Sequence, residues 1–363
     1  MPSYNQRESG LWNVRFRVIE DGKVVNKRLS GYKTRKAAQK AYVEFMANYT
    51  PTTISNNIEL DELKFNDLYN YYMVYAKNRV KESTLYDIKN VFYKHIEPYL
   101  GNRYVSEITK IDIFNWQALL DNQGYSYKYK SKIRGYVSVM LEYAVKYFDL
   151  PTNVVKQVDN FKNKTIKQEM QVWSFEEFKQ FIELVQEDIY KTLFLTLYFT
   201  GCRKGEALAL TWNDIDFNTN TLNINKSLTR KSENSTYSIT TPKNNSSVRK
   251  ILLPKILINA LQELKQPNYK ADRLIFSDDN GYPLAENTIT RKFKHYTTLA
   301  GVKEIRIHDL RHSHASLLIS QGESIVMVAK RLGHANIEQT LNTYSHMMPK
   351  EEQKLVAKLN SLK

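Results

Sequence analysis

The stretch HDLRHSHASL, His308 to Leu317, places three histidines within seven residues, and its first five residues differ by one side-chain carbon from the zinc-hydrolase pattern H-E-x-x-H. A metal reading needs a third ligand, a general-base carboxylate and no cation beside the metal. Here the residue after His308 is the shorter Asp309, and Arg311 falls on the same helical face as His308. Zinc is therefore disfavoured. His314 shares a stripe with Leu310 and Leu317, as a packed histidine does, while His312, one position beyond Arg311, has a hydrogen-bonded structural role open to it.

A second cationic cluster lies in TGCRKGEALALTW, where an apolar run stops at Gly201 and a new helix opens near Arg203. Cations at a helix start oppose the macrodipole, so Arg203 and Lys204 call for an anion. Backbone N–H groups, the dipole and a guanidinium all favour the same phosphate. Glu206 either holds the Arg203 guanidinium or neutralises it as an ordinary surface pair. Further on, Lys243 sits in PKNNSS at the bend between two strands, where a lysine is ordinarily solvated. His334 falls just past a helix stop at Gly333, and Tyr344 lies eight residues beyond Asn336, which starts the next helix. Ile337, Leu341 and Tyr344 share a stripe there, which by itself reads as core.

The elements that must position these residues follow from periodicity. In LWNVRFRVI, Trp12, Val14, Phe16 and Val18 alternate with Asn13, Arg15 and Arg17, giving a strand with one oily and one basic face. A turn at Glu20–Lys23, a second strand and a helix capped by Thr34, with Ala37, Ala41 and Phe45 on one side, make a small sheet-plus-helix unit. From Leu63 to about Asp159 the pattern is that of four helices, one capped by Thr109 with Asp112. The last of them opens with YSYKYKSKIRGY, whose Lys128, Lys130, Lys132 and Arg134 could lie on phosphates. FKNKTIKQEM reads as a linker, and Ser174 with Glu177 opens the next domain. TLNIN, STYSITT and SVRKILLP read as strands, the last two joined as a hairpin through PKNNSS.

The chain has 363 residues and a net charge of +15, with +6 in residues 1–50, +1 in residues 51–160 and +8 in residues 161–363. That excess suits a polyanionic partner, or a solvated basic surface. One cysteine, Cys202, excludes internal disulfides and Cys-rich zinc sites.

Four segments, TGCRKGEALALTWNDID, PKNNSSVRKILLP, HDLRHSHASLL and LGHANIEQTLNTYSH, closely resemble in order and spacing the motif set of the tyrosine recombinases, the integrases of phages and conjugative transposons. The resemblance is direct over roughly the last half of the chain and architectural before it. It implies that Arg203, Lys243, His308, Arg311, His334 and Tyr344 form one active site, with Lys226, Lys231 and Lys250 as nearby alternatives to Lys243. In such a site Tyr344 attacks the scissile phosphate and becomes linked to the DNA 3′ end, while Arg203 and Arg311 clamp the non-bridging oxygens. Lys243 protonates the leaving 5′ oxygen, His308 assists proton transfer at Tyr344, and His334 donates to the phosphate. No metal or other cofactor is implied.

The expectation is an α+β multidomain protein. A small N-terminal three-stranded sheet plus helix (1–52) would bind arm-type DNA through Arg15 and Arg17, and a helical domain (63–159) would bind core-type DNA through Lys128, Lys130, Lys132 and Arg134. A mainly α catalytic domain with a small antiparallel sheet and a C-terminal tail (171–363) would follow. The expected partners are double-stranded DNA, copies of the same chain forming a tetramer on it, and accessory DNA-bending or excision proteins, with no membrane and a cytoplasmic location. A topoisomerase-like nicking enzyme and an inert DNA-binding regulator are the alternatives. The complete Arg203-to-Tyr344 set argues against the regulator, and the N-terminal sheet argues for an integrase holding two kinds of DNA site.

Overall fold

The computed structural model describes residues 2–7, 9–20, 23–48, 59–163, 170–230, 237–241, 245–344, 356 and 359–361, with the backbone alone for a few of these, Arg17 among them. The chain divides into two compact units, Met1–Thr165 and Ile166–Lys363.

In the first unit, β1 (Ser3–Gln6), β2 (Trp12–Glu20) and β3 (Lys23–Tyr32) form an antiparallel sheet in that order. Val14, Phe16 and Val18 pack with Tyr42 and Phe45 of α1 (Arg35–Asn48), and the Thr34 hydroxyl accepts the Ala37 N–H. The helix stripe is one residue off expectation: Ala38 is buried and Ala37 exposed, because Ala38, Tyr42 and Phe45 share the i, i+4, i+7 face over the sheet.

The helical part of this unit comprises α2 (Phe65–Lys77), α3 (Glu82–Val91), a π-helical turn at Phe92–Ile96 running into α4 (Glu97–Leu100), α5 (Lys110–Asp121) and α6 (Tyr127–Tyr147). Thr109 and Asp112 exchange hydrogen bonds at the start of α5, a capping box with Asp in place of Glu. Leu63, Phe65, Ile96, Ile113, Ile133, Val137 and Leu141 lie in its core.

In the second unit, α7 (Phe175–Leu184) opens with the Ser174–Glu177 capping box and α8 (Asp188–Thr200) is the central apolar helix. There follow α9 (Lys204–Leu208), β4 (Ile215–Asp216), β5 (Thr221–Ile224), β6 (Ser227–Thr229), β7 (Ser238–Thr240) and β8 (Arg249–Leu252). The helices α10 (Lys255–Leu264), α11 (Glu286–Ala300), α12 (Asp309–Ser320), α13 (Ile325–Leu332) and α14 (Ile337–Tyr344) complete it.

Among the described residues, the expected hairpin through PKNNSS is not formed. β7 pairs with β6, whereas β8 pairs with β5 in a separate β4-β5-β8 sheet. The reason is burial: Ile251 and Arg249 of β8 stand opposite the buried Leu222 and Ile224, a register that pairing with the more exposed β7 would not provide. Lys243, which follows β7 and precedes β8 in the sequence, lies outside the described residues.

Candidate active site

Arg203 is placed by the end of α8. Gly201 stops that helix at φ 61°, and a Cβ there would stand 2.7 Å from His314 Cδ2 and from Leu332 Cδ2, so the turn can be tight only with glycine. Arg203 then caps α9. Glu206 accepts the Arg203 N–H at 2.9 Å through Oε2 and the Arg203 Nη1–H at 2.8 Å through Oε1. Glu206 is buried, so it holds the Arg203 guanidinium and is not an ordinary surface pair. Its Oε2 also accepts from Arg249 Nη2 at 3.0 Å, so one carboxylate joins two guanidinium groups. Burial alone would raise the Glu206 carboxyl, but Arg249 foremost, and Arg203 with it, hold it below the usual carboxylate range. Lys204, the neighbouring cation, pairs instead with Glu286.

The start of α12 separates the roles of the HDLRHSH residues. Asp309 is bound by Arg306, whose Nε and Nη2 donate at 3.0 and 2.8 Å and whose backbone N–H donates at 2.8 Å. Arg311, 3% exposed, donates from Nη1 to the Gly201 carbonyl at 2.5 Å and from Nη2 to the Leu332 carbonyl at 2.7 Å. It thereby ties together the ends of α8 and α13, the two turns that present Arg203 and His334. Burial, and then the charges of Arg203 and Arg249, push its pKa down to about 10, which leaves it cationic at neutral pH. His314 is buried and accepts from Arg331 Nε at 3.1 Å, the packed position its stripe indicated.

His334 follows Gly333, which ends α13 at φ 69°, and its Nδ1 lies 2.6 Å from the buried Thr340 hydroxyl. Burial and the nearby Arg311 and Arg203 push His334 down to about 4. Tyr344 ends α14 with 0% exposure, packed against Ala315, Ile319, Val328 and Leu332. Its hydroxyl lies 2.6 Å from His312 Nδ1. The stripe Ile337–Leu341–Tyr344 is not a core stripe, since Ile337 and Leu341 are 46% and 42% exposed. This two-turn helix is anchored instead by Thr340 and Tyr344, one turn apart.

The structure thus brings Arg203, His308, Arg311, His334 and Tyr344 into one electrostatically coupled cluster. Lys243 lies outside the described residues, although Ser246, three residues on, places its carbonyl 3.1 Å from where a Cβ on Gly333 would sit. Of the alternative lysines, Lys226 is bound to Asp214 at 2.6 Å and to the Thr211 hydroxyl at 3.0 Å, Lys250 is exposed on β8, and Lys231 is outside the described residues. Sequence reasoning left a hydrogen-bonded role open to His312 without naming its partner, and missed Arg249. His312, not His308, is bonded to the tyrosine, and Arg249 is the second partner of Glu206. The 308/312 spacing, one helical turn, was the available signal for the first; the second had none.

Of the cations expected to meet DNA from the first unit, Arg15 is exposed on β2, opposite Arg28 of β3, which the sequence reading overlooked. The Arg17 side chain is outside the described residues. On α6, Lys128 is exposed and without a partner among the described residues. The other three are held by partners within the first unit. Lys130 pairs with Asp121 and lies over the Phe161 ring, and Lys132 pairs with Asp87. Arg134 donates from Nε to Gln117 Oε1 at 2.8 Å, and from Nη2 to the Val155 and Val158 carbonyls at 2.6 Å each. Arg134 thereby satisfies acceptors of α5 and of the 153–161 segment.

Comparison with known proteins matches residues 171–351 to the phage integrase family and residues 64–120 to the phage integrase N-terminal SAM-like domain. The ICEBs1 integrase of Bacillus subtilis (strain 168) is 30% identical over 313 residues, 83% of each chain. A Tn1549 transposon integrase solved in complex with a circular intermediate DNA superposes with a TM-score of 0.67 at 20% identity, covering 82% of this chain and 99% of that one. A lambda integrase, solved as a tetramer bound to a Holliday junction, superposes with a TM-score of 0.58 at 16% identity, over 93% of this chain and 96% of that one. With the cationic cluster, the buried tyrosine and these likenesses together, the chain belongs to the phage integrase family and is a tyrosine-type site-specific recombinase.

Proposed function

We propose that this chain integrates and excises a mobile DNA element, with Tyr344 as the nucleophile that forms a 3′-phosphotyrosyl intermediate. The observation that carries the reading is the convergence of Arg203, His308, Arg311 and His334, from the starts or ends of three elements, around the tyrosine that ends a fourth. Two guanidinium groups match the non-bridging oxygens of a phosphodiester, a planar task for which lysine is a poor substitute. Loss of one preorganised donor costs roughly two to three powers of ten in rate. His334 donates to the phosphate, and Lys243 protonates the departing 5′ oxygen. Because the phosphotyrosyl bond retains the energy of the broken linkage, a 5′ hydroxyl from a second strand displaces Tyr344 without ATP.

Charge supports a duplex DNA substrate, through the net +15 and through the sheet face bearing Arg15 and Arg28. On this reading the N-terminal sheet binds arm-type sites, the helical part and the catalytic part bind core-type sites, and four copies assemble on DNA, as the lambda integrase does on a Holliday junction. Among the described residues, no helix is long and apolar enough to cross a membrane. The experiment is a two-site exchange assay with the ends of the cognate element. Joined recombinant products support integration and excision, whereas relaxation of supercoils without joining would make the chain a nicking and closing enzyme.

A further inference from the structure

We propose that His312, rather than His308, takes the proton of Tyr344 as the tyrosine attacks, which makes His312 a catalytic residue. The proposal rests on the reading of Tyr344 as nucleophile. Among the described residues, His312 is the one hydrogen-bond partner of the Tyr344 hydroxyl, Nδ1 to Oη 2.6 Å. The His308 ring stands edge-on to that of His312, with centroids 5.4 Å apart, and has no hydrogen bond to the tyrosine.

The groups facing His312 are His308, Asp309, Arg311 and Arg306 around the start of α12, His334 after α13, and Tyr344 of α14. Burial, with His308 and Arg311, keeps the imidazole neutral, down to about 4. Burial likewise keeps the phenol protonated, up to about 12. A phenol that retains its proton donates to the unprotonated ring nitrogen, so Nδ1 accepts and Nε2 carries the ring proton.

That mismatch keeps Tyr344 unreactive until DNA arrives. A bound phosphate then sets an anion beside the histidines and raises their basicity, while Oη–P bond formation drains charge from the phenol oxygen. The step balances: Oη–P forms and P–O5′ breaks, the Tyr344 proton passes to His312 Nδ1, and the 5′ oxygen takes a proton from Lys243. In the return step the attacking 5′ hydroxyl gives its proton to Lys243, and His312 returns its proton to Oη.

The test is single-turnover cleavage by the full chain of a nicked suicide duplex carrying the cognate core site. One version has the ordinary scissile phosphate, and the other a 5′-bridging sulfur whose departing thiolate needs no proton. We expect His312→Ala to cleave both duplexes about a hundredfold more slowly. Lys243→Ala should recover on the sulfur duplex alone. Added imidazoles should restore His312→Ala at rates that rise with the basicity of the imidazole, an effect that a merely structural role would not produce. His312→Asn, which keeps a hydrogen-bonding atom near the Nδ1 position and protects the fold, should remain slow. Recovery of His312→Ala on sulfur, rescue independent of basicity, or cleavage at or above the normal rate in either variant would overturn the proposal. Tyr344→Phe in parallel separates the two readings: an adduct there removes the nucleophile assignment itself, whereas no adduct there together with normal cleavage by His312→Ala removes this proposal alone.

Discussion

Arg203 owes its position to a buried carboxylate that is shared. Glu206 is 2% exposed and holds Arg203 on one side and Arg249 on the other, and Arg249 in turn donates from Nε to the Arg331 carbonyl at 2.7 Å. Removing Arg249, the buried one of the two guanidinium groups, leaves the Glu206 carboxylate with Arg203 alone, whose side chain is 39% exposed. Arg249→Ala is therefore expected to destabilise the catalytic unit by about 3–5 kcal/mol in urea denaturation. Among folded molecules, it should also slow cleavage, because Glu206, which holds Arg203, loses its second anchor. A stability within about 0.5 kcal/mol of the parent would show that the pair contributes nothing, as many exposed ion pairs do. Arg311 poses a sharper case. One ammonium cannot hold the Gly201 and Leu332 carbonyls and also present a planar fork, so Arg311→Lys should lower the single-turnover cleavage rate by roughly two to three powers of ten. Neither Arg249 nor the clamp formed by Arg311 was legible beforehand, since their partners lie 43, 110 and 21 residues away along the chain.

The elements themselves were legible wherever their signals are local. Thr109 with Asp112, Ser174 with Glu177, Ser324, Gly201 and Gly333 all mark helix ends where the structure has them, because a cap is satisfied within three or four residues. Strand partners were not, since alternation assigns faces but does not choose a neighbour; β8 reads equally well beside β7, and only the buried Leu222 and Ile224 of β5 decide the matter. The overlooked Arg28 shows the converse. Once the expected turn between Glu20 and Lys23 is carried through as a register, Glu20 meets Lys23 and Arg15 must meet Arg28. Arg28→Ala is accordingly expected to weaken binding to distal arm-type sites in a gel-shift titration while sparing core cleavage; unchanged arm affinity would remove this face from the DNA contact. Gly333 sets a second element-scale test. A Cβ there would meet Arg249 Nη1 at 2.9 Å and the Ser246 carbonyl at 3.1 Å, on a left-handed backbone. Gly333→Ala should cost more than about 1 kcal/mol from the backbone alone and should slow cleavage by displacing His334.

At the scale of the whole molecule, charge and protonation set the conditions under which this chain works. His314 is buried and pushed down to about 3, below its unfolded value near 6.5, so the unfolded chain binds the extra proton as pH falls through this window. Stability is complete above about pH 6.5 and is lost progressively toward pH 3, and His314 alone removes about 2 kcal/mol between pH 7 and pH 5. His312 and His334, both pushed down to about 4, act in the same direction. A urea midpoint that stayed constant or rose between pH 7 and pH 5 would contradict this arrangement. All of these features matter functionally only if the cluster around Tyr344 handles a DNA phosphate. The most direct measurement is denaturing electrophoresis of the chain after incubation with a labelled, nicked core-site duplex in the presence of EDTA. A covalent protein–DNA adduct is expected for the parent chain and none for Tyr344→Phe; an adduct that persists in Tyr344→Phe would show that another residue is the nucleophile.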